Sequence, residues 1–311
     1  MMQIAIDHFR QADCACGGDS VSRRRMLVGL IGANIMGSLS PALFAEAFAA
    51  AGIDGFYHLM DTDLLPDPRL PGLLDAAKTA GFSGLNVTYP FKQDIMPLLD
   101  TVDRGAQEVG AVNTVVIDAN GRTTGFNFDR SGWRSAFVER LGARSAQGAT
   151  VVLVGAGGAG RAVACAFLDL GIARLIIHDQ DGTRAKTLAA ALSTLSRAMR
   201  VSVSQGLECD IASADGVVNA TQTGMRGFPG NPVPPSVLTA KHWAADVIYT
   251  PIDTEFIKAA RAKGCRTMSG DGMCVHQAVE AFRQFTGTTP DLARMHKAFA
   301  AGLIERERNC G

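Results

Sequence analysis

Apolar runs and apolar/polar alternation divide this chain into two successive α/β patterns. The first begins with 26–32 (MLVGLIG), an apolar run of strand length. A helix follows over 41–51 with proline in its first turn, then a strand over 55–61 and a helix over 68–80. The stretch 82–89 (FSGLNVTY) predicts a strand, 101–110 a polar helix, and 111–117 and 122–128 two further strands. Asn120-Gly121 between those last two favours a tight hairpin turn. A helix over 131–141 leads into the second pattern.

That pattern opens with 151–154, four apolar residues typical of a strand buried on both faces of a parallel sheet. An Ala-rich helix over 161–170 follows, then strands over 174–179, 201–204, 216–220, 243–249 and 265–268. Helices over 183–200 and 254–263 connect them, and helices over 273–285 and 291–306 end the chain. The fold class expected is α/β with two domains and a cleft between them. An α/β substrate domain over 26–128 is completed by the C-terminal helices, 273–308, and a Rossmann-type parallel-sheet nucleotide-binding domain spans 129–272. Residues 1–25 are polar and glycine-containing, end in Arg23-Arg24-Arg25, and are expected to form a flexible, solvated extension.

Composition narrows the function. A chain of 311 residues suggests about two domains. Thirty basic and thirty acidic residues cancel, so no electrostatic case for nucleic acid or a membrane surface arises. No apolar stretch approaches the ~20 residues of a membrane span, and the N-terminus lacks the basic start and apolar core of a signal peptide. Seven cysteines, an odd number with no CxxC pair, suggest reduced thiols and a cytoplasmic setting. Cys14-Ala15-Cys16 is too tight for a structural zinc site, so no metal is expected.

The strongest chemical signal lies between the 151–154 strand and the helix after it, where Gly155, Gly157 and Gly160 have GxGxxG spacing. The first glycine permits a tight turn, the second lets backbone approach a pyrophosphate, and the third lets helix and strand pack closely. The helix N-terminus adds free N–H groups and positive dipole. Asp179 closes the next strand, near the distance at which a carboxylate accepts both ribose hydroxyls of NAD and repels the 2′-phosphate of NADP. Its alternative role is a helix N-cap or turn acid. Arg184 keeps some NADP use open. The loops after later strands, including Thr221 and Gly270, are placed to frame the nicotinamide half.

In the first pattern, Ser38 and Ser40 sit where loop becomes helix. One of them capping the helix is the favoured role, and paired hydroxyls for an anionic or polyol ligand the alternative. Asn86 and Thr88, two apart, share one strand face, and Lys92 follows where strand gives way to helix. A lone lysine is ordinarily a surface residue.

Seven stretches then coincide: SLSP (38–41), NVTYPFK (86–92), GAVNT (110–114), GFNFD (125–129), GAGGAG (155–160), VVNAT (217–221) and GDGMCVHQAVEAF (270–282). Together they resemble the shikimate dehydrogenase family, and within it the quinate/shikimate dehydrogenase branch, over nearly the whole chain. The resemblance implies reversible NAD-linked oxidation of the C3 hydroxyl of quinate or shikimate. It implies Lys92 as catalytic lysine paired with Asp129, and Asn86, Asn113 and Gln277 as ligands of the ring hydroxyls. Ser38 and Ser40 would hold the carboxylate, with Thr88 in the same pocket. Gly155, Ala156, Gly157, Gly158, Ala159 and Gly160 would form the pyrophosphate loop, and Asp179 the NAD-selecting acid. An NADP-dependent biosynthetic enzyme and a catalytically silent quinate- or shikimate-binding sensor are the alternatives, and either a monomer or a homodimer is compatible. Phe128 departs from the family, which usually has Thr there; on a strand it would point away from Asn127 and Asp129, toward the core.

Overall fold

The computed structural model describes residues 24–65 and 68–309. The expected extension over 1–25 lies outside the described residues up to position 23. Its last two residues belong to the fold rather than to a solvated arm. Arg25 opens the first strand, and the Arg24 guanidinium donates to the Thr286 carbonyl at 2.7 Å.

The strands form two six-stranded sheets. The first holds β1 (Arg25–Gly32), β2 (Asp54–Asp61), β3 (Gly84–Val87), β4 (Thr101–Val102), β5 (Thr114–Ile117) and β6 (Thr123–Phe126), in the order β2-β1-β3-β5-β6-β4. Strands β1 to β3 are parallel, whereas β5 runs antiparallel to β3 and β6 antiparallel to β5. The second sheet is wholly parallel, with β7 (Thr150–Val154), β8 (Arg174–His178), β9 (Arg200–Val203), β10 (Gly216–Asn219), β11 (Trp243–Asp246) and β12 (Arg266–Met268) in the order β12-β11-β10-β7-β8-β9. That order reverses between β7 and β10, and ligands of such sheets sit beyond the carboxyl ends of the strands at this switch.

The helices are α1 (Ser40–Ala51), α2 (Leu70–Thr79), α3 (Arg104–Val109), α4 (Phe128–Leu141), α5 (Gly158–Leu170), α6 (Gly182–Leu195), α7 (Leu207–Ser213), α8 (Glu255–Ala262), α9 (Asp271–Thr286) and α10 (Leu292–Asn309). No helix among the described residues is long and apolar enough to cross a membrane.

Most departures from the sequence expectation occur at caps. The polar stretch 101–110 is a short strand and then α3, because the Asp103 carboxylate accepts the Gly105 N–H and starts the helix there. The strand expected over 122–128 ends at Phe126, because the Asn127 side chain accepts the Asp129 and Arg130 N–H groups and begins α4. Phe128 is therefore the first residue of a helix, not a strand residue. It lies half-buried, stacked on Phe126 at 5.7 Å and packed against the core of the first sheet. The strand expected over 111–117 begins at Thr114, which leaves Asn113 just ahead of it. The helix expected over 183–200 stops at Leu195, and α7 was not anticipated. Helix α9 starts at Asp271, so Gly270 is its N-cap rather than a break before Met273.

Two aromatic clusters position the site. Trp133 and Phe137 of α4 pack on Phe167 of α5 and Trp243 of β11, all essentially without solvent exposure. Phe44 and Phe48 of α1 meet Phe282 of α9, and residues of both C-terminal helices pack into the core that covers the first sheet. Helices α4 and α9 approach closely at Gly132, where a Cβ would lie 2.9 Å from the Gln277 amide nitrogen. A glycine inside a helix costs about 1 kcal/mol relative to Ala, and this contact is its reason.

Candidate active site

The carboxyl ends of β1 and β3 and the first turn of α4 converge on one polar cluster. Lys92 follows β3 in a run of turns and is about a quarter exposed; its Nζ donates to Asp129 Oδ2 at 2.6 Å. Asp129 sits in the first turn of α4, 3% exposed at the side chain, where helix dipole and capped N–H groups favour a carboxylate. The two residues are thus brought together from opposite sides of a 37-residue separation.

The amides form a chain beside them. Register pairs Asn86 with Thr114, and the antiparallel turn places Asn113 at the same end of the sheet. Asn86 donates to the Thr114 hydroxyl at 3.0 Å and accepts from the Tyr57 hydroxyl at 2.9 Å. Thr114 in turn donates to Asn113 Oδ1, which also accepts the Phe128 N–H at 2.9 Å. Asn113 Nδ2 donates to Gln277 Oε1 at 3.2 Å, across 164 residues of chain. Thr88 lies just beyond β3, half-buried, with its methyl 2.2 Å from where a Cβ on Gly32 would stand, so a side chain at residue 32 would displace it.

Neither serine caps α1. The N-cap of α1 is Leu39 and takes no side-chain cap. Ser38 Oγ accepts the Ser40 N–H at 3.2 Å, one position away from a cap. Asp61 holds their loop, accepting the N–H groups of Asn34, Ile35 and Met36.

Tyr57, Thr114 and Tyr249 join this cluster without having been singled out in the sequence. Burial pushes the hydroxyls of Tyr57 and Tyr249 far above the ordinary tyrosine range, and that of the Cys274 thiol up to about 12, so all three stay neutral. Tyr57 lies on β2 with the alternation of a buried strand residue, which was the available signal. The contacts of Thr114 depend on strand register and carry no local signal.

In the second sheet the glycines have separate physical causes. Gly155 has φ +107°, and a Cβ there would meet the Ala220 carbonyl oxygen at 2.7 Å. A Cβ on Gly160 would lie 2.0 Å from the Gly155 carbonyl oxygen, so this glycine sets the helix–strand distance. Gly157 and Gly158 face open space; Gly157 is the N-cap of α5, which takes no side-chain cap, and Gly158 and Ala159 begin the helix. Backbone N–H groups there are accessible to an anion, which fits a pyrophosphate.

Asp179 is not a helix N-cap; Asp181 fills that role for α6. Asp179 Oδ2 accepts the Ala156 N–H at 2.7 Å and Oδ1 the Asp181 N–H at 2.9 Å, so it ties the glycine loop to the end of β8. Arg184 pairs with Asp181 at 3.5 Å on an exposed surface. Thr221 hydrogen-bonds Asn219 Oδ1 through its hydroxyl at 2.7 Å. Gly270 approaches Val247, whose carbonyl oxygen a Cβ would meet at 2.2 Å. Asn219 also donates to Asp246, a fully buried carboxyl that accepts Thr254 and the Ile248 N–H and that burial raises to about 6.

Comparison with known proteins agrees along the chain. Residues 30–115 match the shikimate dehydrogenase substrate binding domain, and residues 272–298 the shikimate 5'-dehydrogenase C-terminal domain. A quinate/shikimate dehydrogenase (NAD(+)) of Corynebacterium glutamicum is 48% identical over 88% of this chain and 98% of its own length. A shikimate dehydrogenase (NADP(+)) of Streptomyces avermitilis is 44% identical over 86% of this chain and 93% of its own. The solved quinate dehydrogenase from Corynebacterium glutamicum in complex with NAD has a TM-score of 0.84 and 46% identity, covering 90% of this chain and all of that one.

Proposed function

Because the chain belongs to the shikimate dehydrogenase family, we propose that it is an NAD-dependent quinate/shikimate dehydrogenase that reversibly oxidises the C3 hydroxyl of its substrate. The observation that carries this reading is the 2.6 Å Lys92–Asp129 contact beside the Asn86–Asn113–Gln277 chain of amides. Lys92 removes the hydroxyl proton as general base and returns it in the reverse direction, a contribution of about 10²–10⁴-fold. Asp129, nearly buried, orients the Lys92 amine, which is neutral before it takes the proton and ammonium after, and the reacting hydroxyl. Asn86, Asn113 and Gln277 hold the ring hydroxyls, with Thr88 alongside. Ser38 and Ser40 hold the substrate carboxylate through their hydroxyls.

NAD, when bound, supplies the hydride acceptor. Gly155 to Gly160 hold its pyrophosphate, Asp179 its adenosine ribose, and Thr221 and Gly270 border the nicotinamide. Asp179 supports NAD over NADP, since a 2′-phosphate would face a carboxylate. Arg184, already paired with Asp181, is poorly placed to compensate. On this reading residues 26–128 with 273–308 form the substrate-binding catalytic domain, residues 129–272 the NAD-binding domain, and the enzyme works in the cytoplasm as a monomer or homodimer.

Initial rates for quinate and shikimate, each with NAD and NADP, test the proposal. Turnover of at least one of the two acids with NAD is expected, with lower kcat/KM for NADP. Lys92→Ala should abolish turnover while NAD binding by calorimetry stays nearly unchanged. Wild-type protein that binds quinate or shikimate but forms no NADH would instead identify a silent sensor.

A further inference from the structure

A second cluster of ligating side chains lies where α4, α9 and α10 meet, outside the Lys92–Asp129 pair. Glu139 near the end of α4, His276 of α9 and His296 of α10 bring one ligand atom each to within 4.8 Å of one another. His276 Nε2 and Glu139 Oε2 are 2.8 Å apart, and His296 Nε2 stands 3.7 Å from the same oxygen. That second separation is too long for a hydrogen bond. His296 Nε2 is shielded from solvent and has no hydrogen-bond partner, a costly state for a polar atom. Glu139 and His276 also line a cavity of about 520 Å³ with Arg134, Ser135, Val138 and Leu292, which leaves room for a further ligand on their side of the cluster.

We propose that Glu139, His276 and His296 form a site for one divalent transition-metal ion of the zinc class. Two imidazoles and one carboxylate suit zinc, nickel or cobalt. Calcium or magnesium would require an oxygen-rich shell, and a single carboxylate with Arg134 at the rim of the cavity does not provide one. Metal–ligand bonds of 2.0–2.1 Å put tetrahedral neighbours roughly 3.3 Å apart. Closing the cluster to that size takes shifts of about an ångström, within reach of the exposed Glu139 side chain and the half-buried His296. The ion would satisfy the orphaned nitrogen and cross-link three helices, one of which carries Gln277 next to His276. Short-range spacing could not reveal this site, since Glu139 and His276 are 137 residues apart.

The test uses the full chain, stripped with chelator, titrated with Zn²⁺ by calorimetry and with Co²⁺ by absorbance. One ion per chain is expected, with a visible Co²⁺ spectrum of low coordination number and no thiolate charge-transfer band. His296→Ala and Glu139→Gln should each weaken Zn²⁺ binding by about a hundredfold, and the Zn²⁺-induced rise in Tm should disappear. No saturable binding, a thiolate band pointing to the cysteines, or unchanged affinity in both variants would overturn the site. Should either variant fail to fold, the Co²⁺ spectrum of the unaltered protein decides alone.

Discussion

Arg130, next to Asp129, joins three helices, and replacing it should cost both stability and its dependence on pH. Its Nε and Nη2 donate to Asp169 of α5 at 2.8 and 2.7 Å, and its Nη1 to Glu108 of α3 at 2.6 Å. About a fifth of each of these side chains reaches solvent (17, 21 and 27%). A fully buried pair that loses one partner costs about 3–5 kcal/mol, and an exposed one about 0.2–1 kcal/mol. Arg130→Met leaves two carboxylates without their shared cation, though Arg104 still reaches Glu108, so a loss of about 2 kcal/mol is expected. Its hydrogen bond from Arg130 is the main reason the Glu108 carboxyl lies below its ordinary value of 4.5. A depressed acid stabilises the fold above its unfolded value and loses that contribution as pH falls through the folded one. Urea denaturation should therefore show the full difference between variant and wild type near neutral pH and a smaller one below about pH 4. A neutral-pH loss under about 0.5 kcal/mol would mean that solvent screens the clamp. An undiminished loss in acid would assign the effect to packing of the arginine stem.

Three further outcomes follow from the same structure. Asp179→Ser should narrow the preference for NAD over NADP in kcat/KM by about tenfold or more, since one opposing charge is removed; an unchanged ratio would remove Asp179 from cofactor choice. The Asp246 carboxyl, raised from 3.8 to about 6, binds its proton more tightly folded than unfolded, so stability falls as pH climbs through that interval. Asp246→Asn should abolish that slope and gain up to about 3 kcal/mol at neutral pH, with the gain vanishing near pH 4 in thermal scans; a destabilised variant at neutral pH would contradict the burial account. Gly132→Ala inserts a Cβ 2.9 Å from the Gln277 amide nitrogen and 3.0 Å from the Met273 carbonyl oxygen. A loss of roughly 1–3 kcal/mol is expected with a raised KM for the acid substrate, and a KM unchanged at equal stability would detach Gln277 from substrate binding.

What was legible in the chain was local. The β7–loop–α5 unit could be identified because its three glycines follow an apolar strand at a fixed short spacing, and the β5–β6 hairpin because Asn120-Gly121 dictates its turn. The family motifs brought Lys92, Asp129, Asn86, Asn113 and Gln277 into one list. Their assembly depends on β-sheet register and on the return of α9, which no stretch encodes alone. Errors gathered where a side chain competes with periodicity. Asp103 and Asn127 each cap a helix inside what alternation alone presents as continuous structure.

The residues that escaped notice share one property: their partners lie far along the chain. Tyr57 meets Asn86 across 29 residues, Arg130 meets Asp169 across 39, and Asn219 meets Asp246 across 27. Arg130, Asn219 and Asp246 lie at a helix terminus or a strand end, where backbone geometry already stops and an unpaired donor or acceptor is tolerated until another element arrives. Once buried, such groups must be matched, because an unsatisfied one costs about 1–3 kcal/mol. The proposed site is therefore tied to the fold through these matched pairs. Asn113 both accepts the Phe128 N–H at the start of the helix that carries Asp129 and donates to Gln277. A displacement of α4 or α9 would break hydrogen bonds in the same amide chain that is proposed to orient the substrate, so domain geometry and substrate recognition should fail together.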